Sequence, residues 1–202
     1  MVSRRVVFAR WAALPALLAL SGCMTSIPPV DVTRFHGENV ARSGTVSLMP
    51  SDPREADSLE FRTTANAVAA ALTRTGFSVV DQGAGGAQFR AIIGLSRETL
   101  QPNDPKRSPV SVGVGGSTGS YGSGVGLGIG INLSGKPKPV VSTQLRVQLR
   151  STSADAAVWE GRAETAVKEG SPAAQPGIAA GKLADALFRD FPGKSGVTIT
   201  VP

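Results

Sequence analysis

Apolar and polar positions along the chain fall into two kinds of period. From Ser58 to Thr75, apolar residues recur at Phe61, Ala65, Val68 and Leu72, the i, i+4, i+7, i+11 stripe of a helix with one buried face. Ser58 or Asp57 can cap its start, and Gly76 sits where a left-handed residue ends a helix. Arg62, Thr63, Asn66 and Arg74 fall on its outer face. A second helix is predicted over Pro176–Phe191, with proline in its first turn and Ile178, Leu183, Ala186 and Leu187 as its core stripe.

Elsewhere the period is two. Thr45–Met49 alternates, Phe77–Val80 reads as a short strand, and Gln88–Glu98 sets Phe89, Ala91, Ile93 and Leu95 on one side. Val141–Ser151 and Val158–Lys168 alternate cleanly around a turn at Thr152–Ala157, as paired antiparallel strands with one wet face do. Val197–Val201 can add a terminal strand.

The segment Val112–Leu133 is unusual. Nine of the 18 residues from Gly113 to Gly130 are glycine, and Val125, Leu127, Ile129, Ile131 and Leu133 alternate with Gly126, Gly128, Gly130 and Asn132. This reads as a hairpin turning around Ser117–Ser123, with one apolar and one nearly bare face. Strands segregated from two amphipathic helices predict an α+β two-layer sandwich with a mostly antiparallel sheet and a glycine-rich hairpin.

The first residues carry an address. Arg4, Arg5 and Arg10 precede an apolar run, Trp11–Leu20, of ten residues, too short for a bilayer, which takes about 20. Leu20-Ser21-Gly22-Cys23 resembles a bacterial lipobox. That resemblance implies cleavage before Cys23 and acylation of its thioether and amine, and it explains the single cysteine. Several acyl chains, at about 0.8 kcal/mol per buried CH₂, anchor stably where one does not. Met24 stands where other lipoproteins carry an inner-membrane retention aspartate, which favours the outer membrane. Ser3-Arg4-Arg5-Val6-Val7-Phe8 is similar to a twin-arginine signal but sets Phe8 one place late, so general secretion is expected. Residues 1–22 are thus read as signal peptide, 23–43 as lipidated N-terminus and tether, and 44–202 as the folded domain.

Composition narrows the function. The 202 residues are 41% hydrophobic and 18% charged, enough for one domain and unlike a disordered chain. Losing Arg4, Arg5 and Arg10 from 21 basic residues leaves 18 against 15 acidic ones, a net charge of +3. With no basic run longer than two and few aromatics, nucleic acid is not an expected partner.

Catalytic patterns fail in turn. The single histidine, His36, falls in the tether, whereas a nucleophilic triad needs a positioned base. Glu160, Glu164 and Glu169 read as a solvated sheet face, not an acid/base pair. The glycine tract matches neither G-x-x-x-x-G-K-[ST] nor G-x-G-x-x-G before a helix. With one Cys and one His there is no Cys/His metal set, and no cofactor is expected. Trp159 is expected in the core or at a sheet edge, with ligand stacking as the alternative. Tyr121, at the hairpin tip among Gly and Ser, is a candidate contact for a partner or lipid headgroups.

Several features together resemble a widespread bacterial lipoprotein family known as a domain of unknown function. They are the lipobox, Leu72-Thr73-Arg74-Thr75-Gly76-Phe77, the strand Gln88–Leu95, the glycine-rich hairpin, Val158-Trp159-Glu160-Gly161-Arg162-Ala163, and Phe188-Arg189-Asp190-Phe191-Pro192-Gly193. The resemblance implies an α+β periplasmic domain over roughly residues 45–195 and supplies no catalytic residue. The expectation is a non-enzymatic binding or scaffolding lipoprotein, held to the outer membrane by its acyl chains, with an envelope protein as possible partner. The alternative, loosely similar to the curli secretion lipoprotein, is an oligomeric pore: a membrane strand takes about 9–11 residues, and Gly124–Leu133 is long enough.

Overall fold

A computed structural model describes residues 28–81, 86–101, 110–119, 122–131 and 138–202, with the backbone alone over 110–119 and 122–131. Among the described residues, nine strands and two α-helices run in the order β1 (Val30–His36), β2 (Gly44–Pro50), α1 (Leu59–Thr75), β3 (Phe77–Val80), β4 (Phe89–Leu100), β5 (Val110–Gly119), β6 (Gly122–Ile131), β7 (Val140–Ser151), β8 (Ala157–Lys168), α2 (Pro176–Phe188) and β9 (Thr198–Val201). Seven strands form one sheet in the order β3-β2-β4-β7-β8-β1-β9, and β5 and β6 form a separate pair. The β2–β3 and β2–β4 ladders are parallel; the other four in the large sheet are antiparallel. This is the expected α+β arrangement, with α1 as the crossover between parallel β2 and β3.

Local chemistry sets the helix ends. The Ser58 Oγ accepts the Phe61 N–H at 2.9 Å, satisfying one orphan donor of the first turn. Gly76 closes α1 at φ 109°, a conformation costly for a residue with a side chain. Both helices lie on one face of the sheet. The helix α1 packs on β2, β3 and β4, while α2 packs on α1 and on β7, β8 and β1. Val68, Leu72, Ile93, Leu145, Val147, Leu149, Leu183 and Leu187 fill the layer between them.

Two expectations need correction. Part of the predicted tether is a strand: β1 lies inside the sheet, pairing with β8 from Asp31 to His36 and with β9 from Val30 to Thr33. Val30 and Val32 are fully buried, so the folded domain begins well before residue 44. The β8 edge needs a partner for its backbone, and β1 supplies it. The second correction is Ile178, predicted in the core stripe of α2 but 50% exposed. It lies on a flank of the helix that the described residues leave half open.

That flank is uncovered for a geometric reason. Seven strands at about 4.8 Å spacing span ~29 Å, while two packed helices cover ~20 Å. The helix layer therefore stops short of one sheet edge. Ile199 on β9 is 38% exposed, although Val32, its partner across the ladder on the same face, is fully buried.

Candidate functional site

Two of the motifs that carry the family resemblance, Trp159–Gly161 and Phe188–Gly193, meet in one place, and what they do there is structural. Trp159 is buried and stacks on Phe188 at 5.3 Å between ring centroids, with Phe191 at 5.2 Å. Its indole N–H donates to the Pro192 carbonyl at 3.1 Å. Gly161, two residues on and therefore on the same sheet face, leaves the room this ring needs. A Cβ there would lie 2.4 Å from the Trp159 Cη2 and 2.7 Å from the Leu187 Cδ1. Trp159 thus takes the core position, and the spacing Trp-x-Gly is a packing device.

Behind this cluster lies a buried cation. Arg34 on β1 is 3% exposed and donates to three carbonyls at the end of α2: Leu187 at 2.9 Å, Ala186 at 3.0 Å and Arg189 at 2.9 Å. These are last-turn acceptors with no intrahelical donor, and a cation there also suits the helix dipole. Burial lowers the Arg34 pKa, and the charge of Asp190 acts against that shift. Gly193, at φ 79°, lies beneath the guanidinium, where a Cβ would come within 2.6 Å of its Nη1.

His36 is not in a tether but at the end of β1. Its Nδ1 lies 2.6 Å from the Gly37 carbonyl and its Nε2 3.0 Å from that of Gly193. Ser195 accepts from the His36 backbone N–H at 2.9 Å and donates to its carbonyl at 3.0 Å. The imidazole and its neighbours fasten β1 to the segment after α2.

The predicted carboxylates are on or near β8. Glu164 accepts from Ser142 at 2.7 Å, and Glu160 lies 3.4 Å from Arg162 and 3.8 Å from Arg146 on the face away from the helices. Glu169 lines a separate hollow with Arg97 and Ser171. Cys23, Leu20, Ser21, Gly22 and Tyr121 lie outside the described residues.

The site that sequence reasoning missed is the groove left where the helix layer stops. About 1130 Å³ in volume, it runs between α2 and the ends of β1, β8 and β9, and Pro28, Pro172, Ala173, Ile178 and Val201 supply apolar lining. Lys168, Lys182 and Arg189 line it too, with Asp185 as the acidic side chain among them. Asp185 is already ion-paired with Arg74. The Lys182 ammonium is shielded from solvent without a hydrogen-bond partner, and desolvation lowers its pKa. Pro29 is held there by its carbonyl, which accepts from Thr165 Oγ1 at 2.9 Å. The arrangement suits an apolar body with an anionic end.

No described helix is long and apolar enough to cross a membrane. Among the described residues no three His, Cys, Asp or Glu side chains are grouped to hold a metal ion.

Comparison with known proteins bears on this framework. An uncharacterized protein of Zymomonas mobilis is 35% identical over 210 residues, covering 84% of this chain and 79% of its own. Among solved structures, a PDZ domain protein from Parabacteroides distasonis superposes with a TM-score of 0.51 at 11% identity; 86% of this chain matches 39% of that one, a likeness of fold alone. A PelC dodecamer from Paraburkholderia phytofirmans gives a TM-score of 0.43 at 14% identity, over 82% of this chain and 99% of that one. The match that covers most of the domain spans residues 32–193, from β1 to the glycine beneath Arg34, and by it the chain belongs to the family described as Domain of unknown function (DUF4136).

Proposed function

We propose that this chain is a lipid-anchored, non-enzymatic binding or scaffolding module of the bacterial envelope, attached at Cys23 to the outer membrane and facing the periplasm. The observation that carries the reading is where the folded domain starts. β1 begins at Val30, so six residues separate it from Cys23. An acylated Cys23 would hold the domain close against the bilayer rather than on a long tether.

The polar groups support the non-enzymatic part. Arg34 and His36 are engaged with backbone carbonyls, and Glu160 and Glu164 with neighbouring side chains of the open sheet face. Each holds the framework together, and none faces the groove. Cys23→Ala tests the anchor: the wild-type chain should fractionate with membranes and the variant with soluble periplasmic protein. Wild-type protein in the soluble fraction would end the reading.

A second reading rests on the hairpin. The strands β5 and β6 pair only with each other among the described residues, at ten residues each. That length is sufficient for a membrane-spanning strand. Several copies could pool such hairpins into a pore. Native mass spectrometry of detergent-extracted protein separates the two, since a closed ring of six or more copies supports the pore and a monomer or dimer removes it.

A further inference from the structure

We propose that the groove between α2 and β9 is the membrane-contacting face of the domain, resting on the acidic phospholipid surface of the bilayer that carries the anchor. This rests on acylation of Cys23 and adds which face turns to the lipid.

Reach makes the first argument. Pro28 lines the groove, and Cys23 is five residues upstream, at most about 18 Å of extended chain. Acyl chains on Cys23 would bring the groove end of the domain to the interface, whichever way the rest of the molecule leans. Surface chemistry makes the second. Ile178, 50% exposed, lines the groove with Pro172 and Ala173, and Ile199 on the edge strand β9 is 38% exposed, which is apolar surface of the kind that rests in a membrane interface.

Charge makes the third. Three cationic side chains, Lys168, Lys182 and Arg189, line the groove against one acidic side chain, Asp185, which is paired to Arg74. An acidic surface attracts such residues within a Debye length. Lys182, shielded and unpartnered, gains a counterion when a phosphate approaches. The opposite sheet face is a poor competitor, because its Arg146, Arg162, Glu160 and Glu164 already balance one another.

The test uses full-length protein matured in the membrane, purified in detergent and reconstituted into phosphatidylcholine vesicles with and without phosphatidylglycerol. Acylation leaves Cys23 without a thiol, so Ile178→Cys and, as control, Arg146→Cys each take one bimane label. Brominated lipids should quench the label at position 178 and spare that at 146, with stronger quenching when phosphatidylglycerol is present. Reversing Lys182 and Arg189 to glutamate should abolish the phosphatidylglycerol-dependent part. Acylated, vesicle-bound protein whose two labels are equally unquenched would overturn the docking face and leave the anchor standing. A label at 178 that becomes shielded yet unquenched as protein concentration rises would assign the groove to a second copy and also overturn it. Intact mass without acyl groups on Cys23 would remove the anchor reading and the docking face together.

Discussion

The Arg34 guanidinium donates from Nε to the Leu187 carbonyl at 2.9 Å, joining the first strand of the sheet to the end of the last helix across 153 residues of chain. Through Nη2 the same group reaches the Ala186 and Arg189 carbonyls, so one side chain closes the end of α2. The contact explains why an arginine occupies an inward position between Val32 and the aromatic cluster.

Replacing it should be costly. Arg34→Met leaves three carbonyls, two of them buried and one partly buried, without their donor, and at about 1 kcal/mol for each we expect a loss of ~3 kcal/mol in urea unfolding. Arg34→Lys should recover only part of this, because an ammonium lacks the planar fork. A methionine variant as stable as wild type would show that the cap contributes nothing.

Gly161→Ala places a methyl inside the Trp159 ring and against Leu187. Overpacking of this kind typically costs about 1–3 kcal/mol, and the tightness of the contact puts the expectation at the upper end. The variant's near-ultraviolet circular dichroism should also weaken as Trp159 leaves its stack on Phe188. An unchanged melting temperature would refute the packing role of the glycine.

The domain needs β1. A chain starting at Gly44 loses Val30 and Val32, each worth about 1.5–3 kcal/mol when fully buried, together with the Arg34 cap and two ladders. The total approaches the whole stability of an ordinary domain, about 5–15 kcal/mol. That chain should be unfolded by circular dichroism, whereas one starting at Ser26 should fold.

Removing the hairpin should be harmless to the sheet. Leu100 and Val140 are partners at the end of the β4–β7 ladder, so a short turn can close the chain once residues 101–139 are deleted. The melting temperature should hold or rise slightly, since a shorter loop has less closure entropy to lose. Collapse of the fold would make the hairpin part of the core.

Lys182 gives a pH signature. Its folded pKa is lowered by desolvation, so between that value and the ordinary lysine value the unfolded chain binds more protons. Stability should therefore rise with pH through this alkaline window. Lys182→Met should raise the melting temperature at neutral pH and flatten that dependence, as seen by thermal scans over a pH series. A methionine variant with the wild-type pH profile would contradict the assignment.

The period-two and period-3.6 patterns made most of the elements readable. Ser58 and Gly76 bound α1 as expected, and the long alternations of β7 and β8 pair as expected. β1 was hidden because its third inward position is Arg34, which breaks the apolar alternation begun by Val30 and Val32; only the carbonyls of α2, distant in sequence, make that arginine a core residue. Ile178 misled because a helical stripe says which side of a helix is apolar, not whether a neighbour covers it. The groove was invisible for the same reason, since it depends on how far two helices extend over seven strands. The motif residues Trp159, Gly161, Phe191 and Gly193 were legible as a set, while their meeting in one packing cluster needed the fold.

The most direct test of a lipid-anchored module is the intact mass of the protein extracted from membranes. The account predicts a chain beginning at Cys23 and carrying acyl groups on its sulfur and amine. A membrane-extracted or soluble chain with residues 1–22 still attached, or with a free Cys23 thiol, would contradict it.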